Sequence, residues 1–189
     1  MPYPHTVRLN GRSVATRPMS IGFTLVELMV TVAVAAILVT VAVPAFTSLI
    51  RDMRVNTAVN TFLASVHFAR SEAARRGVRV AVCASPDQQK CQAGADFDDG
   101  WLVVAGADPY AATAPVLRSF APDMGGIDIQ FRFGATADPY LSYIPTGQAR
   151  TDSGALMMGS VRFCDDGADH RIVINATGRP RVAEQACTT

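Results

Sequence analysis

From Gly22 to Ile50 the chain reads GFTLVELMVTVAVAAILVTVAVPAFTSLI. Beyond Glu27 this run carries no charge, and threonine and serine are its only polar residues. The 23 residues from Leu28 to Ile50 would span roughly 34 Å as an α-helix, enough to cross the hydrocarbon core of a bilayer. Arg8, Arg12 and Arg17 precede the run, and Arg51 and Arg54 follow it. That balance leaves the positive-inside rule slightly in favour of a cytoplasmic N-terminus. An ordinary secretory signal is the competing reading, since Val43-Pro44-Ala45 offers small residues at a plausible signal-peptidase site. Glu27 argues against it. A carboxylate at the entrance to an apolar helix is expensive and generally has a function and a partner cation.

The heptapeptide Gly22-Phe23-Thr24-Leu25-Val26-Glu27-Leu28 resembles the processing site of type IV pilins and type II secretion pseudopilins. The resemblance implies that a prepilin peptidase cuts after Gly22, that the new amine of Phe23 is methylated, and that Glu27 is the acid of the motif. The physical reading agrees: a buried Glu27 carboxylate wants a cation, and the Phe23 ammonium of a neighbouring subunit would supply one while setting the stagger between helices. Pro44 also matches the family, where a proline at this depth bends or locally melts the helix. The expected organisation is a leader over 1–22, a transmembrane N-terminal helix over 23–50 and a globular periplasmic domain over 51–189, anchored in the inner membrane. The leader is long for the family. A start at Met19 would remove every leader arginine, and Met1 is preferred.

Past the membrane segment, Val55, Val59, Phe62, Val66, Ala69 and Ala73 recur at helical spacing and draw an apolar stripe. Gly77, after Arg75-Arg76, reads as a C-cap with cations at the negative end of the helix dipole. Strands follow at Val78–Cys83, at Trp101–Val104 and at Val116–Phe120, the last inside a long Ala/Pro/Asp-rich loop. Ile127, Ile129, Phe131 and Phe133 alternate with Asp128, Gln130 and Arg132, the pattern of a half-buried strand. Val161–Cys164 and Arg171–Asn175 flank Asp165-Asp166-Gly167 as a hairpin. The order predicts an α+β, pilin-like fold: a long N-terminal helix packed on an antiparallel sheet.

Charge and chemistry exclude several classes of function. The formal net charge is +1, and losing the leader leaves 14 basic and 16 acidic residues. No global basic field remains, so any contact with nucleic acid must come from a local patch. Lys90 is the only lysine and follows Gln89, which excludes a Walker A loop. Asp96, Asp98 and Asp99 before Gly100 lack the ligand alternation and terminal glutamate of a calcium loop and read as an acidic turn. His67 and His170 have no visible nucleophile near them, and no catalytic signature or cofactor motif is present, so neither an enzyme nor a metal or cofactor protein is expected. Cys83, Cys91, Cys164 and Cys187 form an even set without metal-site spacing, in a domain the topology places outside the cytoplasm. Three pairings are open to them. Cys83–Cys91 with Cys164–Cys187 is expected, because each bridge then closes a loop local to its own part of the sheet.

The globular part resembles the FimT/GspH group of minor pilins. The carrying residues are Phe68-Ala69-Arg70-Ser71-Glu72-Ala73, the Cys83…Cys91 segment, Asp99-Gly100-Trp101-Leu102-Val103, Arg162-Phe163-Cys164 and Gly178-Arg179-Pro180-Arg181. Partners implied are the prepilin peptidase and other minor pilins. Members of the group serve either secretion or natural transformation, and fold alone does not choose between them. The cysteines and the final Gly-Arg-x-Arg point toward the transformation side, where double-stranded DNA is the ligand. In an extended segment Arg179 and Arg181 share one side, about 7 Å apart, and each guanidinium can grip a phosphate with paired donors. Pro180 stiffens the backbone between them, Gly178 permits a turn or close approach, and Arg171 on the preceding strand would extend the patch. Nothing here reads bases, so binding should be independent of sequence and sensitive to salt. A solvated pair of surface arginines, in a purely structural pseudopilin of a type II secretion system, is the alternative. Arg70, Arg75, Arg76 and Arg79 form a second basic cluster that a helix C-terminus already explains.

Overall fold

The computed structural model describes residues 22–121, 125–133, 139–165 and 168–184. The expected leader therefore lies outside the described residues except for Gly22, as do Cys187 and the Asp166-Gly167 tip of the expected hairpin. The chain divides into two units, Met1–Val43 and Pro44–Thr189.

In the first unit every described residue belongs to helix α1 (Leu25–Arg76) or to the three residues before it. Thr24 caps the helix, its hydroxyl accepting the Glu27 N–H at 3.2 Å. Glu27 thereby sits in the first turn, where a carboxylate meets the positive end of the helix dipole. No residue of α1 before Val55 is buried. The hydroxyls in this apolar stretch are satisfied within the helix: Thr31 donates to the Leu28 carbonyl at 2.9 Å and Thr40 to that of Ile37 at 2.7 Å. The boundary between the units falls at Pro44, which has no N–H to close the helical bond four residues back.

In the second unit α1 buries the stripe read from the sequence, Val55, Val59, Phe62, Val66, Ala69 and Ala73, and adds Ala58. Two antiparallel sheets follow. The strands are β1 (Val80–Ala84), β2 (Trp101–Ala105), β3 (Val116–Phe120), β4 (Asp128–Phe133), β5 (Tyr140–Tyr143), β6 (Gly159–Asp165), β7 (Ala168–Ile174) and β8 (Pro180–Glu184). The first sheet runs β3-β2-β1-β5 and the second β4-β6-β7-β8. The first strand starts two residues later than expected, because Gly77 takes φ of 67° and Val78 stays exposed. The β6–β7 hairpin pairs Asp165 with Ala168, so both arms are longer than read. Strand β5 was not anticipated. Its four residues are all buried, leaving no alternation to read.

Phe62 lies where the helix meets both sheets. Its ring is 5.3 Å from Trp101 of β2, 6.0 Å from Phe131 of β4 and 5.7 Å from Phe163 of β6, all edge-on. The indole N–H of Trp101 donates to the Ser65 hydroxyl at 3.0 Å, which satisfies the one polar atom of that buried ring. Cys83 and Cys91 are disulfide-bonded, as expected, with Cα atoms 5.6 Å apart. The expected Cys164–Cys187 bridge ends on a residue outside the described ones. The acidic turn is structural: Asp98, in a 3-10 helix spanning Phe97–Asp99, accepts the Ile129 N–H at 2.9 Å and fastens the turn to the start of β4.

Truncating Phe62 to alanine removes one ring from four aromatic contacts and should cost about 3–5 kcal/mol, read as a lower denaturation midpoint of the folded domain; Phe62→Leu should cost distinctly less.

Candidate nucleic-acid interface

The turn between β7 and β8 is built from the sequence Asn175-Ala176-Thr177-Gly178-Arg179. The Asn175 carboxamide oxygen accepts the N–H groups of Thr177 at 3.1 Å and Arg179 at 2.8 Å, so one side chain organises the turn. Gly178 adopts φ of 75°, and its N–H donates to the Asn175 carbonyl at 2.8 Å. The need for glycine is twofold. A Cβ there would lie 2.7 Å from the Ala149 nitrogen and from the Gly147 carbonyl oxygen, and 2.8 Å from the Tyr143 ring. The buried Tyr143 hydroxyl donates to the Gly178 carbonyl at 2.9 Å, and burial pushes its pKa well above the ordinary phenol value. The turn that begins the basic motif is thus bolted to β5 of the other sheet.

Beyond the bolt, Arg179 and Arg181 are exposed on either side of buried Pro180, so they project to one side, as expected of an extended segment. Arg181 pairs with Val173, and Arg171 lies two residues before Val173 on β7. Arg171 and Arg181 therefore occupy the same face of the second sheet.

The register brings in two residues that sequence reasoning did not assign to the site. Arg162 on β6 is directly opposite Arg171, and Gln130 on β4 is opposite Arg162. One row over, Arg132 pairs with Ser160, which pairs with Val173, opposite Arg181. Arg132, Arg162, Arg171 and Arg181 thus share one face, while Ile129, Val161, Phe163, Ile172 and Ile174 are buried on the other. Arg132 and Arg181 are exposed, Arg162 and Arg171 half-buried. Among the described residues the only ion pairs are those of Glu72, so none of these four arginines is neutralised by an acid within 4 Å. Arg132 instead donates to the Gln130 side-chain oxygen at 3.2 Å, and the Gln130 amide donates to Asp128 at 2.6 Å. The Nε of Arg171 is buried without a hydrogen-bond partner. The signal available in the sequence was alternation: Arg132 and Arg162 sit at outward positions of strands, but only pairing shows that those positions converge.

The second cluster does not behave as a free patch. Arg75 and Arg76 both bond Glu72, at 2.9 and 2.6 Å from Arg75 and 2.6 Å from Arg76. Arg75 first and Arg76 second draw the Glu72 carboxyl down to about 2. Arg79 donates to the Ser142 hydroxyl at 2.8 Å and the Arg150 carbonyl at 2.6 Å. Arg70 lies against Gly147, its Nε 3.1 Å from where a Cβ would be. Arg75 and Arg76 are thus engaged within α1, and Arg79 ties the chain after the helix to Ser142 and Arg150.

Residues 58–178 match the family described as Type II transport protein GspH, and residues 17–43 match the prokaryotic N-terminal methylation motif. No curated protein is similar enough to count as a match. Among solved structures, the type IV minor pilin FimU of Pseudomonas aeruginosa aligns with a TM-score of 0.51 at 17% identity, over 69% of this chain and 88% of that one. A second crystal form of FimU gives 0.49 at 16% identity, over 68% of this chain and 92% of that one. At such identities the likeness to the first form is one of fold.

Two outcomes test this local architecture. Tyr143→Phe should lower stability by about 1 kcal/mol, whereas Gly178→Ala, with strained backbone and two backbone clashes, should lower it by about 2 kcal/mol or more, both read by chemical denaturation. Because the Glu72 pKa is lowered in the fold, its contribution is present above the ordinary value of 4.5 and is lost as pH falls toward about 2. Thermal melts between pH 6 and about pH 2 should show a smaller acid-induced drop for Glu72→Gln than for the unaltered protein.

Proposed function

Because this chain belongs to the GspH family of pilin-like transport proteins, we propose that this minor pilin subunit carries duplex DNA at its distal domain during natural transformation. In this reading the chain is processed by a prepilin peptidase after Gly22, and the Phe23 amine pairs with Glu27 of a neighbouring subunit. The apolar half of α1 anchors it in the inner membrane before it joins other minor pilins, and the sheet domain faces the periplasm. Its role is to assemble and to bind rather than to catalyse.

The observation that carries DNA binding is the Gly178–Arg181 segment. Two exposed guanidinium groups flank a buried proline, and the turn before them is fixed by the Tyr143–Gly178 bond. Arginines on a fixed backbone lose less freedom on gripping a phosphate than arginines on a loose loop. No base-reading element accompanies them, so affinity comes from phosphate contacts and counterion release. A second reading, a structural minor pseudopilin of a type II secretion system that binds no DNA, is favoured by the description of the matched family itself.

The chain in detergent, titrated with duplex DNA at low and moderate salt, separates the two. Binding that weakens with salt, and that an Arg179→Ala/Arg181→Ala variant with an unchanged melting profile largely loses, is the expected result. No binding at low salt would leave the secretion reading standing.

A further inference from the structure

Like charges directly opposite one another on adjacent strands destabilise a sheet, yet Arg162 faces Arg171 across the β6–β7 pair. One row away on the same face, Arg132 and Arg181 stand at the two edges of the sheet, with Ser160 and Val173 between them. The acids of this face, Asp128 and Asp169, stand together in the next row, aligned through Cys164. Asp128 is engaged by Gln130, and neither acid forms an ion pair with an arginine among the described residues. An arrangement whose repulsion is left uncompensated within the fold is one that an external anion would relieve.

Resting on the DNA reading above, we propose that the whole arginine face of β4, β6, β7 and β8 is the phosphate-binding track, with Arg132 and Arg162 as ligands alongside Arg171, Arg179 and Arg181. Three strand intervals of about 4.8 Å separate Arg132 from Arg181, roughly 14 Å in all. Each strand of duplex DNA advances about 3.4 Å along the helix axis per phosphate, so that width corresponds to about four phosphate-to-phosphate steps of the axis. The duplex therefore crosses the strands of the sheet instead of following β8 alone. At the β8 end Arg179 continues the track along the strand. At the far edge Gln130 holds Arg132 by its side-chain oxygen, orienting the guanidinium without neutralising it. The half-buried Arg171, whose Nε has no partner, sits at the centre, where desolvation strengthens an ionic contact. Asp128 and Asp169 bound the track on one side by repelling phosphate.

The test measures the dependence of affinity on salt for the full chain in detergent, using random-sequence duplex DNA. Removing one phosphate-binding arginine should reduce the logarithmic salt slope by about one. An Arg132→Gln/Arg162→Gln variant should therefore bind with a slope shallower by about two and roughly tenfold or more weaker at moderate salt. An Arg132→Lys/Arg162→Lys variant should keep most of the slope while losing part of the affinity. Far-ultraviolet circular dichroism and melting profiles matching the unaltered chain show that the fold is intact. A Gln variant with the unaltered slope, alongside an Arg179/Arg181 variant that loses binding, overturns the track and leaves the smaller motif standing. An unaltered chain that ignores DNA but binds polyglutamate overturns both, and makes the face a dock for an acidic protein.

Discussion

The fold depends on a single ring. Phe62 projects from α1 into the place where Trp101 of the first sheet and Phe131 and Phe163 of the second converge, at 5.3–6.0 Å between centroids. Among the described residues no other α-helix is available to cover either sheet, so each buries one face against the same helical stripe. The ring lets both do so at one point. Trp101 can enter that point only because Ser65, one turn along the helix, takes its N–H. A wholly apolar stripe would have left the indole unsatisfied. The Phe97 ring, stacked on Phe131 at 4.3 Å, closes the cluster, and Asp98 beside it holds the turn by the Ile129 N–H although burial and the neighbouring acids push its pKa up.

Much of this was legible in the chain. Helical spacing named the buried stripe from Val55 to Ala73, and alternation from Ile127 to Phe133 named the buried and exposed faces of β4, because both patterns are local. Strand β3 also fell where its short β-rich run placed it. What failed to show was whatever depends on partners. Strand β5 is buried on all four residues, so period-two alternation vanishes where both faces are covered. Glu72 read as part of a helix end, although its spacing of three and four residues to Arg75 and Arg76 is the local signal of the ion pairs it makes. The basic motif was visible as Gly178-Arg179-Pro180-Arg181, but its neighbours Arg132 and Arg162 come from distant parts of the chain. Only the register puts them beside it.

The arginines thus divide by what surrounds them. Those at and just after the end of α1 are held: Glu72 bonds two of them, and one guanidinium nitrogen of Arg79 donates to both Ser142 and Arg150. On the outer face of the second sheet Arg132 donates to Gln130, and none of the arginines there forms an ion pair among the described residues. The same residue type serves cohesion on one side of the domain and remains available on the other. Net charge could not have revealed this, because a chain close to neutrality conceals a separated distribution.

The helix from Leu28 to Ile50 carries a different consequence. All of its large apolar side chains are exposed, and its threonine hydroxyls are bonded back to their own backbone. Such a surface offers a neighbour only shape and dispersion, with no polar group awaiting a partner. Exchanging acyl chains for the helices of sister subunits then leaves the count of hydrogen bonds unchanged. Along this stretch an acyl chain and a second apolar helix would offer the same kind of contact. Glu27, the one charged position between Gly22 and Ile50, is the exception to that uniformity, a carboxylate at the entrance to the apolar run.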